Sequence, residues 1–396
     1  MKEIGAFALL MVIYGVSDFI SSKTKAIVSS LFAASVIILV GLWTNIIPKT
    51  AFADSGLAGI GAIGTGLLIA HMGTLISLKD FAKQWKTVLI ACAALVGIFL
   101  LVYFVGGLLV GKQYAVAAAP PISGGVIAAL MMSQAAKAQG FEMAALLAIL
   151  LLVLQGFIGY PVASLCLKSE AKRLSGEFKN LKGPGKSNGD AKDATQPEVK
   201  SVNKLIPALP KDLQTPFILL AKLALVVVFS TWVAQLLNGV INKNIMYLIM
   251  GIAFAELGFL EKDILTKSNS FGLAMAGLLA LVFSSLVQAT PSMVVQLLWP
   301  IVATLALGTI GIAVGSILVG KLLGQSWAMS FAIGTTALFG FPGTFILSNE
   351  ISKSVGGSEE EKKYIMDEIF PKMMVSGFVT VTIGSVILAG IMVKML

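Results

Sequence analysis

Pro120, Pro121, Ser123, Gly124 and Gly125 place turn-forming, ligand-accessible backbone in the middle of an apolar stretch. Proline removes an N–H donor and restricts its neighbour. Glycine lets the backbone approach a ligand and take unusual dihedrals. A helix starting near Val126 aims its N-terminus at this break, and the free N–H groups there suit a carboxylate. Ser123 adds a hydroxyl, and the carbonyls of the break suit a sodium ion instead. The surrounding segment, 117–140, reads AAAPPISGGVIAALMMSQAAKAQG. A second broken segment, 329–351, has its break at GFPGT, preceded by Thr335 and Thr336 and closed by Ser348, Asn349 and Glu350. Two tips meeting at mid-membrane would set Ser123, Gly124 and Gly125 against Pro342, Gly343 and Thr344 across one substrate cavity. Ser133, Gln134 and Asn349 are further binding candidates, and Pro121, Thr336, Gly340 and Glu256 are candidates for a coupling ion. The plain alternative is that both segments are proline-kinked spans.

Other polar residues keep two readings each. Glu256 carries a proton or binds sodium, or is an interfacial charge that pairs with Lys262. His71, the single histidine, titrates near neutrality or serves as a satisfied packing group. Ser133 and Gln134 line the cavity or bond neighbouring helices, whereas Gln155 and Gln288 read as bonds between helices. Asp18 ends the first span. No arginine occurs in any apolar run, so an anion would rely on helix ends, hydroxyls and a co-bound cation. Residues 106–113, GGLLVGKQ, resemble a phosphate-binding loop but lack its final hydroxyl. No HExxH and no Ser/His or paired-aspartate arrangement is present, so the chain is not expected to be an enzyme, and it calls for no cofactor beyond sodium.

These features sit in a chain of 396 residues that is 57% hydrophobic and 12% charged, with a mean hydropathy of +0.91. Soluble domains carry roughly 25% charged residues. The reading is an all-α polytopic membrane protein in contact with a lipid bilayer. Its formal charge of +9 lies mostly in short loops and one linker, where it sets topology rather than binding nucleic acid. Cys92 and Cys166 both lie in apolar runs, which excludes a disulfide or metal framework. The opening MKEIGAFALLMVIYG reads as a short first span rather than a leader.

Ten spans are expected, at about 4–20, 27–47, 56–77, 87–110, 143–166, 214–236, 241–260, 271–290, 294–320 and 372–393. They divide into an N-terminal membrane repeat (1–167), a cytoplasmic linker (168–211) and a C-terminal membrane repeat (212–396). The linker is rich in Lys, Gly, Asp, Ser and Pro and reads as mobile. With its lysines inside, the positive-inside rule puts Lys23, Lys25, Lys79, Lys83 and Lys86 in the cytoplasm only if 117–140 enters from outside and returns. The N-terminus then lies outside, and 329–351 enters from the cytoplasm and returns. Each half becomes five spans plus a re-entrant broken hairpin, and the odd count inverts the second half. VGGLLVGK at 105–112 and VGSILVGK at 314–321, each just before a broken segment, mark the repeat.

This plan resembles the sodium/glutamate symporter family, and related carboxylate transporters share it. The family's small-residue first hairpin matches PISGG at 121–125, and the Pro and Thr of its second hairpin match FPGT at 341–344. Where that family carries His-Gly-Thr, this chain has SGG at 123–125. The resemblance implies sodium-coupled symport of glutamate or another small carboxylate by an elevator-like movement against a homodimeric scaffold. The compact form and simple loops suggest a bacterial inner membrane. A proton-coupled carrier or exporter of similar fold is the alternative, giving more weight to Glu256 or His71. A non-transporting membrane scaffold is the third.

Overall fold

The computed structural model describes residues 3–75, 83–181, 205–207, 209–237 and 243–396. The described residues are 83% helical, with no strand among them. The first half forms α1 (Glu3–Lys23), α2 (Ser30–Trp43), α3 (Leu57–Gly73), α4 (Trp85–Leu100), α5 (Lys112–Ile122), α6 (Val126–Ala138), α7 (Glu142–Leu154) and α8 (Gly156–Leu181). The second half forms α9 (Pro216–Leu236), α10 (Lys243–Leu257), α11 (Phe271–Phe283), α12 (Leu298–Leu322), α13 (Trp327–Thr335), α14 (Gly343–Val355), α15 (Glu359–Phe378) and α16 (Ser385–Met392). A π turn, Leu101–Gly106, extends α4, and a second, Val379–Gly384, joins α15 to α16.

Side-chain caps fix several of these starts. Ser29 Oγ accepts from Phe32 N at 3.2 Å, and Ser326 Oγ accepts from Met329 N at 3.0 Å. Thr215 caps α9, with Pro216 at the first position, where its missing N–H costs nothing. Ser358 caps α15, and Glu359, Glu360 and Glu361 follow in its first turn, where negative charge complements the helix dipole.

Among the described residues, seven stretches are long and apolar enough to cross a membrane: Glu3–Lys23, Trp85–Leu109, Glu142–Asn180, Pro216–Leu236, Phe271–Gln288, Leu298–Leu322 and Glu359–Met395. This is a membrane protein. The other three expected spans are shorter helices of 14, 17 and 15 residues, α2, α3 and α10. At about 1.5 Å per residue they fall short of a hydrocarbon layer of about 30 Å. The helix that carries the last expected span begins at Glu359, ahead of the apolar run at 372–393, because its capped, charged first turns are helical without being apolar. Helix α8 runs on to Leu181, and residues 182–204, with Lys79, lie outside the described residues.

The chain divides into two compact units that do not follow sequence order. The larger takes Met1–Ala58, Lys83–Lys172 and Leu279–Leu396; the smaller takes Gly59–Ala82 and Arg173–Leu278. In the smaller unit α3 packs closely on α10, since a Cβ at Gly251 would collide with the Ala70 carbonyl oxygen. Lys222 Nζ meets Glu261 Oε1 at 2.6 Å, with both side chains mostly buried. His71 Nδ1 accepts from Leu265 N at 3.3 Å, and its Nε2 lies 3.6 Å from Asp263 Oδ1. Its ring is thus held between Leu265 and Asp263.

In the larger unit the organising contact is between α4 and α12. A Cβ at Gly97 would strike the Gly311 carbonyl oxygen, one at Gly311 the Gly97 carbonyl, and one at Gly315 the Ala93 carbonyl. Small residues four apart let two membrane helices touch through their backbones. Helix α12 then carries the broken segments. Gly308 receives Ile122, at the end of α5, and Gly334 of α13 lies against Ile312 and Ser316.

Loop contacts sort the ends of this unit. Lys168 Nζ donates to Lys25 O at 2.7 Å, Ser164 Oγ donates to Ala26 O, and Lys86 Nζ donates to Leu323 O at 3.0 Å. Ser326, the cap of α13, donates to Glu170, and Glu350, near the end of α14, accepts from Ser30 N at 3.1 Å. Away from this corner, Trp43 Nε1 donates to Ala289 O at 2.7 Å. Ala117 and Ala136, on either side of the first break, share one packed cluster with Ala144 and Ala145.

Replacing Gly311 by valine inserts a branched side chain into a backbone contact. Overpacking of this kind costs about 1–3 kcal/mol. Gly390, with nothing within 4 Å of an added Cβ, is the control. Thermal unfolding in detergent should show a midpoint several degrees lower for Gly311→Val and little change for Gly390→Val. Equal midpoints would overturn the packing argument.

Candidate functional site

The two breaks meet on one side chain. Helix α5 ends at Ile122, and the chain turns through Gly124 at φ +100° before α6 begins. Helix α13 gives way to a short turn, Thr336–Leu338, and the chain passes through Gly340 at φ +56° to the cis Phe341–Pro342 bond and α14. Both glycines sit in the left-handed region, where a Cβ is strained. A Cβ on Gly124 would lie 2.7 Å from Val381 Cγ2, and one on Gly340 would lie 2.8 Å from the same atom. Gly124 also abuts the Ala337 carbonyl oxygen, and Gly125 abuts Ser385 Oγ and the Val381 carbonyl. Val381 belongs to the π turn between α15 and α16. Such bulges recur at functional sites because they offset the local backbone.

The first break is held by Gln155, which is 3% exposed. With its amide oriented by its neighbours, Nε2 donates to Pro121 O at 3.1 Å and Ile122 O at 3.2 Å. Helix ends leave carbonyls without partners, and Gln155 supplies one from the junction of α7 and α8. Ser123 Oγ donates to Pro120 O at 2.6 Å, so its hydroxyl is committed locally. Gly125 gives α6 no side-chain cap.

In the second break, Thr336 Oγ1 lies 2.8 Å from Ser376 Oγ and also donates to Ile333 O. Ser376 and Thr380 thus tie α15 to α13. Gly343 sits against the rings of Phe339 and Tyr160, with Tyr160 Cε1 3.1 Å from an added Cβ. Pro342 precedes α14 and offers no side-chain cap. Thr344 is fully buried in that first turn, and its Oγ1 has no hydrogen-bond partner. Two helix starts without side-chain caps, one with an unsatisfied hydroxyl, therefore flank the breaks.

The residues expected to form a site divide accordingly. Ser123, Gly124, Gly125, Pro121, Thr336, Gly340, Pro342, Gly343 and Thr344 all lie at the two breaks, although the chain nearest Gly124 is Ala337 rather than 342–344. Ser133 is buried eight positions along α6, whereas Gln134 is exposed. Asn349 is half-buried on α14, where its carbonyl accepts from Ser352 Oγ at 3.0 Å. Glu256 belongs to the smaller unit and is exposed near the end of α10. Sequence reasoning missed Val381, Ser385, Ser376 and Tyr160. A faint signal existed in the polar stripe of Ser376, Thr380 and Ser385 within an apolar stretch. No family model and no curated protein matches this chain.

Gln155→Leu removes the donor shared by two break carbonyls. Leaving a buried acceptor unpaired costs about 1–3 kcal/mol. Gln155→Glu, which brings a carboxylate to the same carbonyls, should cost more. The order wild type, leucine, glutamate in unfolding midpoint checks the assignment, and a leucine variant as stable as wild type would refute it.

Proposed function

We propose that this protein is a secondary active transporter that binds a small carboxylate at the meeting point of its two breaks. One observation carries the reading: Thr344 Oγ1 is buried without a partner at an uncapped helix start, where two broken segments close on Val381. An unpaired buried hydroxyl is costly, and its persistence in a membrane protein is a mark of function. Free N–H groups at the start of α6 suit a carboxylate, and carbonyls of the breaks suit a cation carried with it. Sodium is the proposed coupling ion, with glutamate or another small carboxylate as substrate.

The broken segments are read as re-entrant hairpins. Ala117 and Ala136 would stand about 28 Å apart on one straight helix, yet they share a cluster. For the second segment the support is that Ser326 and Glu350, at its two ends, bond to Glu170 and Ser30. Those residues adjoin the corner where Lys168 meets Lys25, so positive charge favours a cytoplasmic face there. The N-terminus then lies outside. The inverted repeat is supported by element order, since a broken pair follows α4 in one half and α12 in the other. Counting the three shorter helices as spans gives two repeats of five. A bacterial inner membrane, from the compact form and simple loops, and a homodimeric scaffold with an elevator-like movement, from the resemblance to sodium/glutamate symporters, complete the proposal.

A proton-coupled carrier is the second reading, favoured by Glu350. Its carboxylate has oxygens 3.1 and 3.3 Å from Ser30 N and lies among Ser21, Ser30 and Asp18.

The test is uptake of labelled L-glutamate into proteoliposomes under an inward sodium gradient, beside matched vesicles with a pH gradient. Sodium-stimulated accumulation is expected, and Gly124→Val and Gly343→Val should abolish it. Thr344→Val should reduce uptake at least tenfold without lowering the unfolding midpoint, because it removes an unsatisfied polar atom at nearly constant volume. Normal uptake by Thr344→Val would remove the observation that carries the site.

A further inference from the structure

A cavity of about 390 Å³ lies along α6 and α7 and reaches the segment 288–293. It begins at Ser133, about 12 Å along the helix from Gly125, and is separate from the breaks. Its volume falls within the range of small-molecule sites, about 300–1,000 Å³. One wall is apolar, made by Met143, Leu146, Ile149 and Met293. The polar groups are few: Ser133, Lys137, Glu142 and Gln288.

Ser133 is the informative residue. Buried hydroxyls in this chain are commonly spent on their own helix: Ser17, Ser35, Ser230, Ser316 and Ser348 each donate to the carbonyl four positions back. Ser133 is 8% exposed and lines the cavity, yet it has no partner among the described residues. One turn on, Lys137 stands in the last turn of α6, and Glu142 stands in the first turn of α7. Each complements the dipole of its helix, and both are exposed at the cavity's rim. Neither joins an ion pair among the described residues.

We propose that this cavity binds a free α-amino acid with an apolar side chain. Lys137 and Ser133 take the carboxylate, Glu142 takes the ammonium group, and the methionine, leucine and isoleucine wall takes the side chain. Glu142 disfavours a second carboxylate, so a dicarboxylic amino acid is rejected. The cavity is a binding site apart from the breaks, and it does not rest on the function proposed above.

Binding of labelled L-leucine to the purified full-length protein in detergent tests this by scintillation proximity. Saturable binding is expected, displaced by L-methionine and not by L-glutamate. Ser133→Ala should weaken it about tenfold, as for a lost hydrogen bond to a charged group. Lys137→Gln should abolish it and Lys137→Arg should preserve it. Gly124→Val should bind leucine normally while failing to transport, which separates this site from the breaks. Leucine binding by wild type that shows no glutamate uptake would remove the transport reading and leave this one standing. Absence of saturable binding to wild type overturns the proposal, as does equal affinity in Ser133→Ala and Lys137→Gln. Phosphatidylethanolamine retained through purification by wild type, lost from Lys137→Gln and not displaced by leucine would overturn it too, making the occupant a lipid headgroup.

Discussion

Backbone that leaves its helix inside a membrane must find partners within the protein, and this requirement governs the larger unit. Water is not there to satisfy a freed carbonyl or N–H group. The chain meets the requirement by bringing its two irregular points together. Gly124 and Gly340 turn through the left-handed region on either side of Val381, and the π turn that carries Val381 lets one side chain fill both gaps. Gln155 covers the carbonyls of the first break, and Ser376 with Thr380 ties down the approach to the second. What is left unsatisfied is therefore conspicuous. The Thr344 hydroxyl stands out because its neighbours are so fully paired.

The same economy explains where polar side chains occur. Most hydroxyls in the helices donate to their own backbone, which hides their polarity without specifying a partner. Glutamine, threonine and serine between helices do more, since their bonds link segments far apart in sequence. Trp43 and Lys86 behave similarly at the ends, each donating to a carbonyl that closes a distant helix or turn. The hydrophobic effect gives little drive for helix association within lipid, so these bonds and the glycine contacts decide which helices pair.

Much of the plan could be read from composition and punctuation. PPISGG and GFPGT announce breaks because proline and glycine have few other uses inside apolar stretches. The long spans were visible as apolar runs, and the Ser133 candidate came from its place after the first break. Other features left no such mark. VTVTIG at 379–384 looks like any apolar stretch, and only the fold shows that it is a π turn opposite both breaks. Ser123 and Thr336 looked equivalent to Thr344 as hydroxyls, but their local bonds are set by three-dimensional neighbours. The helical turns ahead of the apolar run at 372–393 left no mark in hydrophobicity, which reports burial in lipid, whereas a serine cap and acidic first turn report helix formation.

The glycine contact between α4 and α12 joins residues more than half the chain apart, at Gly97 and Gly311. During synthesis the first of these helices is complete long before its counterpart exists. Its small-residue face must wait in the bilayer with only lipid against it. Contacts between such distant residues form late and slow assembly. The larger unit can therefore close only after the second half has emerged, and a truncated chain ending at the linker would leave that face open to any other small-residue helix nearby.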